Sequence, residues 1–250
     1  MANPTLSVPQ STTLTQAERE IQTLEAIADA QYLPEGWPII GTAHDANTLI
    51  QLLTQHSLAI RSPSSTRVTQ FVRSYYEVST WNIDTVDFVR LQYELQQFFA
   101  RLDELFFFNL LTRNVKSFSG SRKCLSELVI YDCPESGGRY GLCARDRWVI
   151  EVWLRDLRTP HKRRSFDSVL HTIVHELVHA YLKFADKRHI DYYAMVENSN
   201  GHGEGFRILL PFIAKTLLDL TNSEGWRKEL PEMNNALFLI SRMSTFPPFP

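Results

Sequence analysis

This 250-residue chain is short of cysteine, of long apolar runs and of net charge, and each shortage excludes something. Its three cysteines, Cys124, Cys133 and Cys143, share no repeated spacing and form no C-x-x-C pair. A disulfide scaffold and a cysteine-ligated zinc ribbon are therefore excluded. The cysteines read as small buried hydrophobes in a reducing compartment, cytoplasm or nucleus. The first residues, Met1-Ala2-Asn3-Pro4-Thr5-Leu6, lack the basic and apolar regions of a secretory signal. No apolar run approaches the roughly 20 residues that cross a bilayer, so no membrane partner is expected. A formal net charge of −2 gives no global attraction to nucleic acid. What remains is an ordinary intracellular globular composition, long enough for one sizeable core with flanking pieces.

Against that background stands His175-Glu176-Leu177-Val178-His179. Imidazoles four residues apart lie one above the other on a helix face, so both can hold one metal ion. The intervening glutamate then faces a metal-activated water, where a carboxylate acts as general base. This is the zincin signature, and it names a reaction type, metal-assisted hydrolysis. Apolar residues at Phe166, Val169, Leu170, Ile173, Val174, Leu177, Val178 and Tyr181 follow helical spacing, with Ser165 as N-cap. The motif thus sits on a buried amphipathic helix. The bland alternative is a core helix with two satisfied histidines, but a glutamate is rarely buried without a partner or a task.

Two ligands do not complete a zinc site. His171 lies on the same stripe, yet eight residues of helix rise about 12 Å, so one ion cannot touch both His171 and His179. The metzincin pattern needs Gly at 182 and His at 185, where this chain has Leu182 and Ala185. His189, Asp191, Glu197, His202 and Glu204 remain downstream. Glu197 is followed at once by Asn198-Ser199-Asn200-Gly201, which favour a turn. His202 is the better candidate, because it sits between Gly201 and Gly203 and opens the apolar run that begins at Phe206.

Together, the run from His175 to Tyr181, the segment Gly201-His202-Gly203-Glu204-Gly205-Phe206, and the upstream run from Phe98 to Leu111 resemble the SprT-like metalloprotease family. That family joins an HExxH-A-Y helix to a later H-G-x-x-F segment, after an opening helix rich in Leu and Phe. The likeness covers about residues 84–222. It implies a zinc endopeptidase with His175, His179 and His202 as ligands and Glu176 as catalytic base. It also implies a role in digesting proteins bound or crosslinked to DNA. The interval between His179 and His202 is wider than in the family's animal members, and residues 187–193 fill it.

The rest of the chain reads in outline as an α+β, zincin-like protein, mainly helical, with a small antiparallel β-sheet before the HExxH helix. Residues 1–14 form a polar tail rich in Pro, Ser and Thr. Residues 15–65 form an N-terminal helical extension. A capping box of Thr15 and Glu18 starts its first helix, which runs to about Tyr32; a second covers 45–57, and residues 62–65 form a linker. The metalloprotease domain spans 66–244, with a long helix over 84–112 and strands at 125–131 and 148–154. A last helix runs from Trp226 to Met243, and residues 245–250 form a Pro-rich tail. Strand 148–154 is the candidate edge for pairing with an extended protein substrate.

Residues 145–165 hold seven Arg or Lys against three Asp or Glu, a local +4 beside the catalytic helix. Arg158, Lys162, Arg163 and Arg164 are the candidate contacts to DNA phosphates. Two rival readings stand beside the protease. Peptide deformylase also uses HExxH, with a cysteine ligand, but the Gln it needs before the first histidine is Val174 here. A non-catalytic, zinc-stabilised module that binds DNA or protein would have no use for Glu176.

Overall fold

The computed structural model describes residues 14–30, 44–116, 122–144 and 148–229. The helix expected to run to Met243 lies mostly outside them, as do the tails over 1–13 and 245–250. Among the described residues, no helix is long and apolar enough to cross a membrane.

Helices α1 (Gln16–Ala30), α2 (Ala46–His56), α3 (Leu58–Arg61), α4 (Thr66–Ser79) and α5 (Phe88–Phe106) come first. The capping box at α1 forms as its sequence dictates: the Thr15 N–H donates to Glu18 Oε2 at 2.8 Å, and the Glu18 N–H to Thr15 Oγ1 at 3.3 Å. Asp45 caps α2, accepting from the Thr48 N–H at 2.9 Å. The segment expected as a linker is a tight connection in which Ser65 caps α4. The helices of 16–61 are not an appendage. Leu24, Leu49 and Leu53 share one buried cluster with Leu177 and Leu182 of the HExxH helix and with Leu209 of the helix that follows His202.

Helix α5 is shorter than the 84–112 expected. Asp87 caps its start, and Phe108 and Asn109, at φ 61° and 59°, break its end. The apolar run Phe106-Phe107-Phe108 continues the helical pattern, but Asp103 overrides it. Its buried carboxylate accepts the N–H groups of Leu111 at 3.2 Å and Thr112 at 2.7 Å, and the Thr112 hydroxyl at 2.7 Å. These bonds fold the chain back after Phe106.

Burial pushes the Asp103 carboxyl up to about 6 despite those bonds. A carboxyl raised on folding binds more protons in the native than in the unfolded state. Its contribution is therefore most favourable below about pH 4, and it declines as pH rises to about 6. Asp103→Asn is expected to abolish this decline, which is on the order of 3 kcal/mol. Urea unfolding of both proteins at several pH values between 4 and 7 checks it. Parallel pH profiles would show that Asp103 titrates normally.

The sheet corrects the sequence reading in two ways. Strands β1 (Asn114–Lys116) and β2 (Arg122–Cys124) form a separate antiparallel pair. The main sheet contains β3 (Glu127–Tyr131), β4 (Gly141–Cys143) and β5 (Val149–Trp153) in the order β3-β5-β4. It is mixed, not antiparallel: β3 runs parallel to β5, with Leu128 opposite Ile150, while β4 runs antiparallel, with Leu142 opposite Glu151. The reason is the long connection after Tyr131, which lets β4 take the far side of β5. Strand β5 is therefore central and not an edge; β3 and β4 are the two edges, and β4 is the one beside the HExxH helix. The pleat of β5 is as its sequence predicts, with Ile150, Val152 and Leu154 all buried. A two-stranded hairpin, β6 (Arg155–Asp156) and β7 (Thr159–Arg163), leads into α6 (Phe166–Leu182).

Helix α6 packs against β4 and β5 on one side and against α8 (Glu204–Thr221) on another. Ser165 caps it, accepting from the Ser168 N–H at 3.3 Å. A π-turn (Tyr193–Glu197) and the single turn α7 (Asn198–Gly201) connect α6 to α8, and α9 (Glu224–Glu229) follows.

Candidate metal centre

Helix α6 presents His175 and His179 on its cleft face while its other faces are buried in the core. The third imidazole arrives by a separate route. Ser199, Asn200 and Gly201 take left-handed φ values of 56°, 61° and 89°, and this turn swings His202 toward α6. Gly203 then caps α8 against the π-turn, where a Cβ would lie 2.5 Å from the Met195 carbonyl carbon. A Cβ at Gly205 would come within 2.9 Å of the Met195 oxygen. Glycine at both positions lets α8 start this close, which fixes where His202 stands.

The three Nε2 atoms form a nearly equilateral triangle. His175 and His179 stand 3.2 Å apart, His179 and His202 3.2 Å, and His202 and His175 3.1 Å. Phe206 lies against all three rings, stacked on His179 at 4.4 Å and edge-on to His175 at 4.7 Å and His202 at 4.5 Å. Burial and the neighbouring histidines hold His175 and His179 down at about 3, and burial lowers His202 as well. Three neutral imidazoles thus bring one ring nitrogen each to one spot.

A tetrahedral zinc site with Zn–N bonds of about 2.0–2.1 Å has ligand nitrogens about 3.3 Å apart. The observed triangle fits that ion, and three nitrogens leave one coordination position open, as catalytic zinc sites do. Among the described residues, no other group of His, Cys, Asp or Glu lies close enough to hold a metal together. His189, Asp191, Glu197 and Glu204 are not in the cluster. His171 packs against Trp226, with ring centres 5.8 Å apart.

Glu176 is 5% exposed, with Oε1 4.0 Å from His175 Nε2. Burial pushes its carboxyl up to about 8, opposed by the backbone N–H of Cys143 and the ammonium of Lys183. The carboxylate fits only because residue 141 is glycine: a Cβ there would lie 2.6 Å from Glu176 Oε1 and 2.6 Å from Thr172 Cγ2. The site opens into a cleft of about 1110 Å³, walled by β4, Trp148, the cleft face of α6 with Lys183 and Lys187 beyond its end, and the segment 192–202.

Sequence reasoning did not single out Gly141 or Lys183, and it read Cys143 as a small buried hydrophobe rather than as part of the cleft wall. The glycine's only sequence signal was its place at the start of a short apolar strand. The cysteines also need correction. Cys124 and Cys133 are exposed rather than buried, and only Cys143, in the cleft wall, is largely shielded. Of the tyrosines near the motif, Tyr181 is fully buried and donates to the Leu49 carbonyl at 3.0 Å, and Tyr193 is exposed. Tyr192 lines the cleft and donates to Glu197 Oε1 at 3.4 Å.

The four basic candidates divide. Arg158 and Lys162 are exposed on the hairpin. The Arg163 guanidinium is 6% exposed, pairs with Asp132 through Nη2 at 2.6 Å and Nε at 3.0 Å, and donates to the Ile83 and Val86 carbonyls. Arg164 donates to Trp153 O, Ser168 O and Thr172 Oγ1, and lies 4.1 Å over the Tyr140 ring. Arg163 ties the hairpin to Asp132 and to the segment 83–86, and Arg164 ties the end of β5 to α6, so neither guanidinium is presented to a phosphate. Arg145 and Arg147 lie outside the described residues. Arg163→Ala leaves Asp132 with Arg155 alone and takes the donor from the Ile83 and Val86 carbonyls, so a loss of about 1–3 kcal/mol in stability is expected. Chemical denaturation of the variant checks this, and an unchanged midpoint would contradict it.

Comparisons with protein-family models, with curated proteins and with solved structures return no match to this chain.

Proposed function

We propose that this protein is a zinc-dependent endopeptidase of the SprT-like type, with His175, His179 and His202 as ligands and Glu176 as general base. One observation carries the reading: three neutral histidine nitrogens 3.1–3.2 Å apart, beside a buried glutamate, in an open cleft. A purely structural zinc site fills its fourth position and needs no base. A zinc ion held there supplies Lewis acidity, which brings the pKa of a coordinated water toward neutrality.

The chain's own residues do the rest. Glu176 takes the proton of the attacking water and passes it to the departing amine. Nearby positive charge favours its ionised form against burial, and Lys183 already acts in that sense. Strand β4 offers a main-chain edge to the substrate. The Tyr140 carbonyl accepts from the Trp153 N–H, and the Ala144 N–H donates to Val149. By the alternation of an antiparallel ladder, Gly141 and Cys143 turn their main-chain groups away from β5; with the Cys143 N–H donated to Glu176, the Gly141 groups and the Cys143 carbonyl are those offered to a substrate. An extended polypeptide pairing there is read through its backbone, which tolerates many sequences.

The proposal extends to proteins bound or crosslinked to DNA, with Arg158 and Lys162 as the phosphate contacts. The test compares wild type with Glu176→Gln for cleavage of a DNA-bound basic protein, with and without single-stranded DNA. Cleavage by wild type that requires DNA supports the full reading. Cleavage that ignores DNA leaves a general protease. Equal behaviour of the two proteins favours the non-catalytic module. Arg158→Ala with Lys162→Ala is the proper DNA-contact variant, since it leaves the Arg163 and Arg164 ties intact. It should weaken DNA binding severalfold and flatten the salt dependence, and an unchanged salt series would exclude these two contacts.

A further inference from the structure

Strand β4 and helix α6 run side by side along the cleft, and two contacts give the direction. At the start of β4, a Cβ on Gly141 would lie 2.6 Å from Glu176 Oε1. Just past its end, the Ala144 carbonyl accepts from the Lys183 ammonium at 2.5 Å. The reacting centre stands at the first contact, and the second lies three residues, about 10 Å, further along the strand. Toward that far end the cleft turns apolar. Leu182 follows His179 by three residues, which keeps it on the cleft face of α6. Trp148 enters from the start of β5, and Tyr192 and Val196 come from the segment before His202. The Val196 carbonyl accepts the Gly203 N–H at 3.4 Å, which holds that wall beside the third histidine.

These walls are firm and carry no charge of their own. The Trp148 ring lies 5.3 Å from that of Phe184 and 5.0 Å from Lys183 Nζ, so neighbours on the end of α6 hold it. Leu182 is 1% exposed and Val196 8%, and each shows the cleft only an edge of a side chain otherwise sunk in the core. Nearby charges are engaged elsewhere. The Lys183 ammonium is taken by the Ala144 carbonyl and the Cys143 thiol, and Glu197 accepts the Tyr192 hydroxyl at 3.4 Å. A polypeptide paired with the β4 edge turns every second side chain toward α6, the face to which a Gly141 Cβ would point. One such side chain, within two residues of the scissile bond, arrives among Trp148, Leu182, Tyr192 and Val196.

We infer that Trp148, Leu182, Tyr192 and Val196 form an apolar specificity pocket, which makes this protease select Leu, Met, Phe or Tyr within two residues of the scissile bond, on the side toward Ala144. The inference rests on the protease reading and names the substrate class for that site. A large apolar side chain leaves water on entering the pocket, and that transfer is favourable in proportion to the area buried. A carboxylate, ammonium or amide entering there gives up its water for walls that offer it no charge.

The test has one arm that needs cleavage and one that does not. In the first, the zinc-loaded full chain digests position-randomised peptides, and mass spectrometry reads the cut sites. Large apolar residues should be enriched about tenfold over Asn, Ser and Asp at one position, on one side of the cut. Trp148→Ala should lower that enrichment to about twofold, whereas Trp148→Phe should keep most of it. In the second arm, calorimetry compares phenylpropionyl hydroxamate with acetohydroxamate on the same zinc-loaded protein. Both grip the metal through the same group, so the phenyl ring alone reports the pocket. The phenyl compound should bind about tenfold tighter to wild type and about twofold tighter to Trp148→Ala. Cleavage without apolar enrichment, enrichment that Trp148→Ala leaves intact, or equal affinity of the two hydroxamates overturns the pocket and leaves the protease reading standing. If wild type cuts nothing, the protease reading fails. The expected hydroxamate ratio then still upholds the pocket, and equal affinities overturn it as well.

Discussion

Glu176→Gln is expected to keep its zinc and to lose peptide cleavage by about 10²–10⁴-fold, the usual worth of a positioned general base. The glutamine has the same shape in a pocket closed by Gly141, Thr172 and the Cys143 backbone. It keeps an acceptor for the Cys143 N–H and leaves all three imidazoles untouched. Only the ability to take a proton is lost. A second, metal-free readout follows from the raised carboxyl. Native Glu176 titrates at about 8, far above an ordinary glutamate, so the native state binds the extra proton across that interval. Its contribution to stability therefore falls as pH rises from about 4.5 to 8. Metal-free Glu176→Gln escapes that fall and should be more stable than metal-free wild type at pH 8, by on the order of 2–4 kcal/mol. Activity within a few-fold of wild type would remove Glu176 from the mechanism, and identical pH–stability profiles would contradict its burial as a carboxylate.

Gly141→Ala is expected to cost about 10²-fold in kcat with zinc content unchanged. The added methyl lies 2.6 Å from Glu176 Oε1 and 2.9 Å from its Cγ, while Thr172 Cγ2 blocks the other direction at 2.6 Å. Helix α6 is packed on both sides and cannot retreat, so the carboxylate must turn away from the histidines. The methyl is small and β4 short, so folding should survive with a modest loss of stability. Steady-state kinetics with metal analysis checks this. Full activity would mean that the carboxylate is not held where the crowding places it.

The HExxH helix was legible because its histidines and its packing both repeat at helical spacing. The apolar stripe, the Ser165 cap and the exclusion of His171 each follow from the geometry of one helix, which needs no tertiary information. His202 was legible through its glycines, although the reason for them lies in the Met195 backbone, which no local pattern contains. The mixed sheet was not legible. Period-two alternation places Ile150 and Val152 inward but says nothing about which strands flank them or in which direction. The end of α5 was hidden for a similar reason, since Asp103 acts on residues eight and nine positions away. The basic run misled by composition. Seven cations in 21 residues count alike in sequence, yet Asp132 and a set of carbonyls occupy Arg155, Arg163 and Arg164. Lys183 escaped notice because its meaning depends on β4, which ends beside it.

The central claim is a zinc ion on three histidine nitrogens, and zinc stoichiometry with X-ray absorption on wild type and His202→Ala tests it most directly. The account predicts one zinc per wild-type chain, a first shell of nitrogen and oxygen at about 2.0–2.1 Å without sulfur, and loss of stoichiometric binding in the variant. A wild type that takes up no zinc, a sulfur ligand from Cys143, or a His202→Ala protein that keeps its full zinc would contradict it.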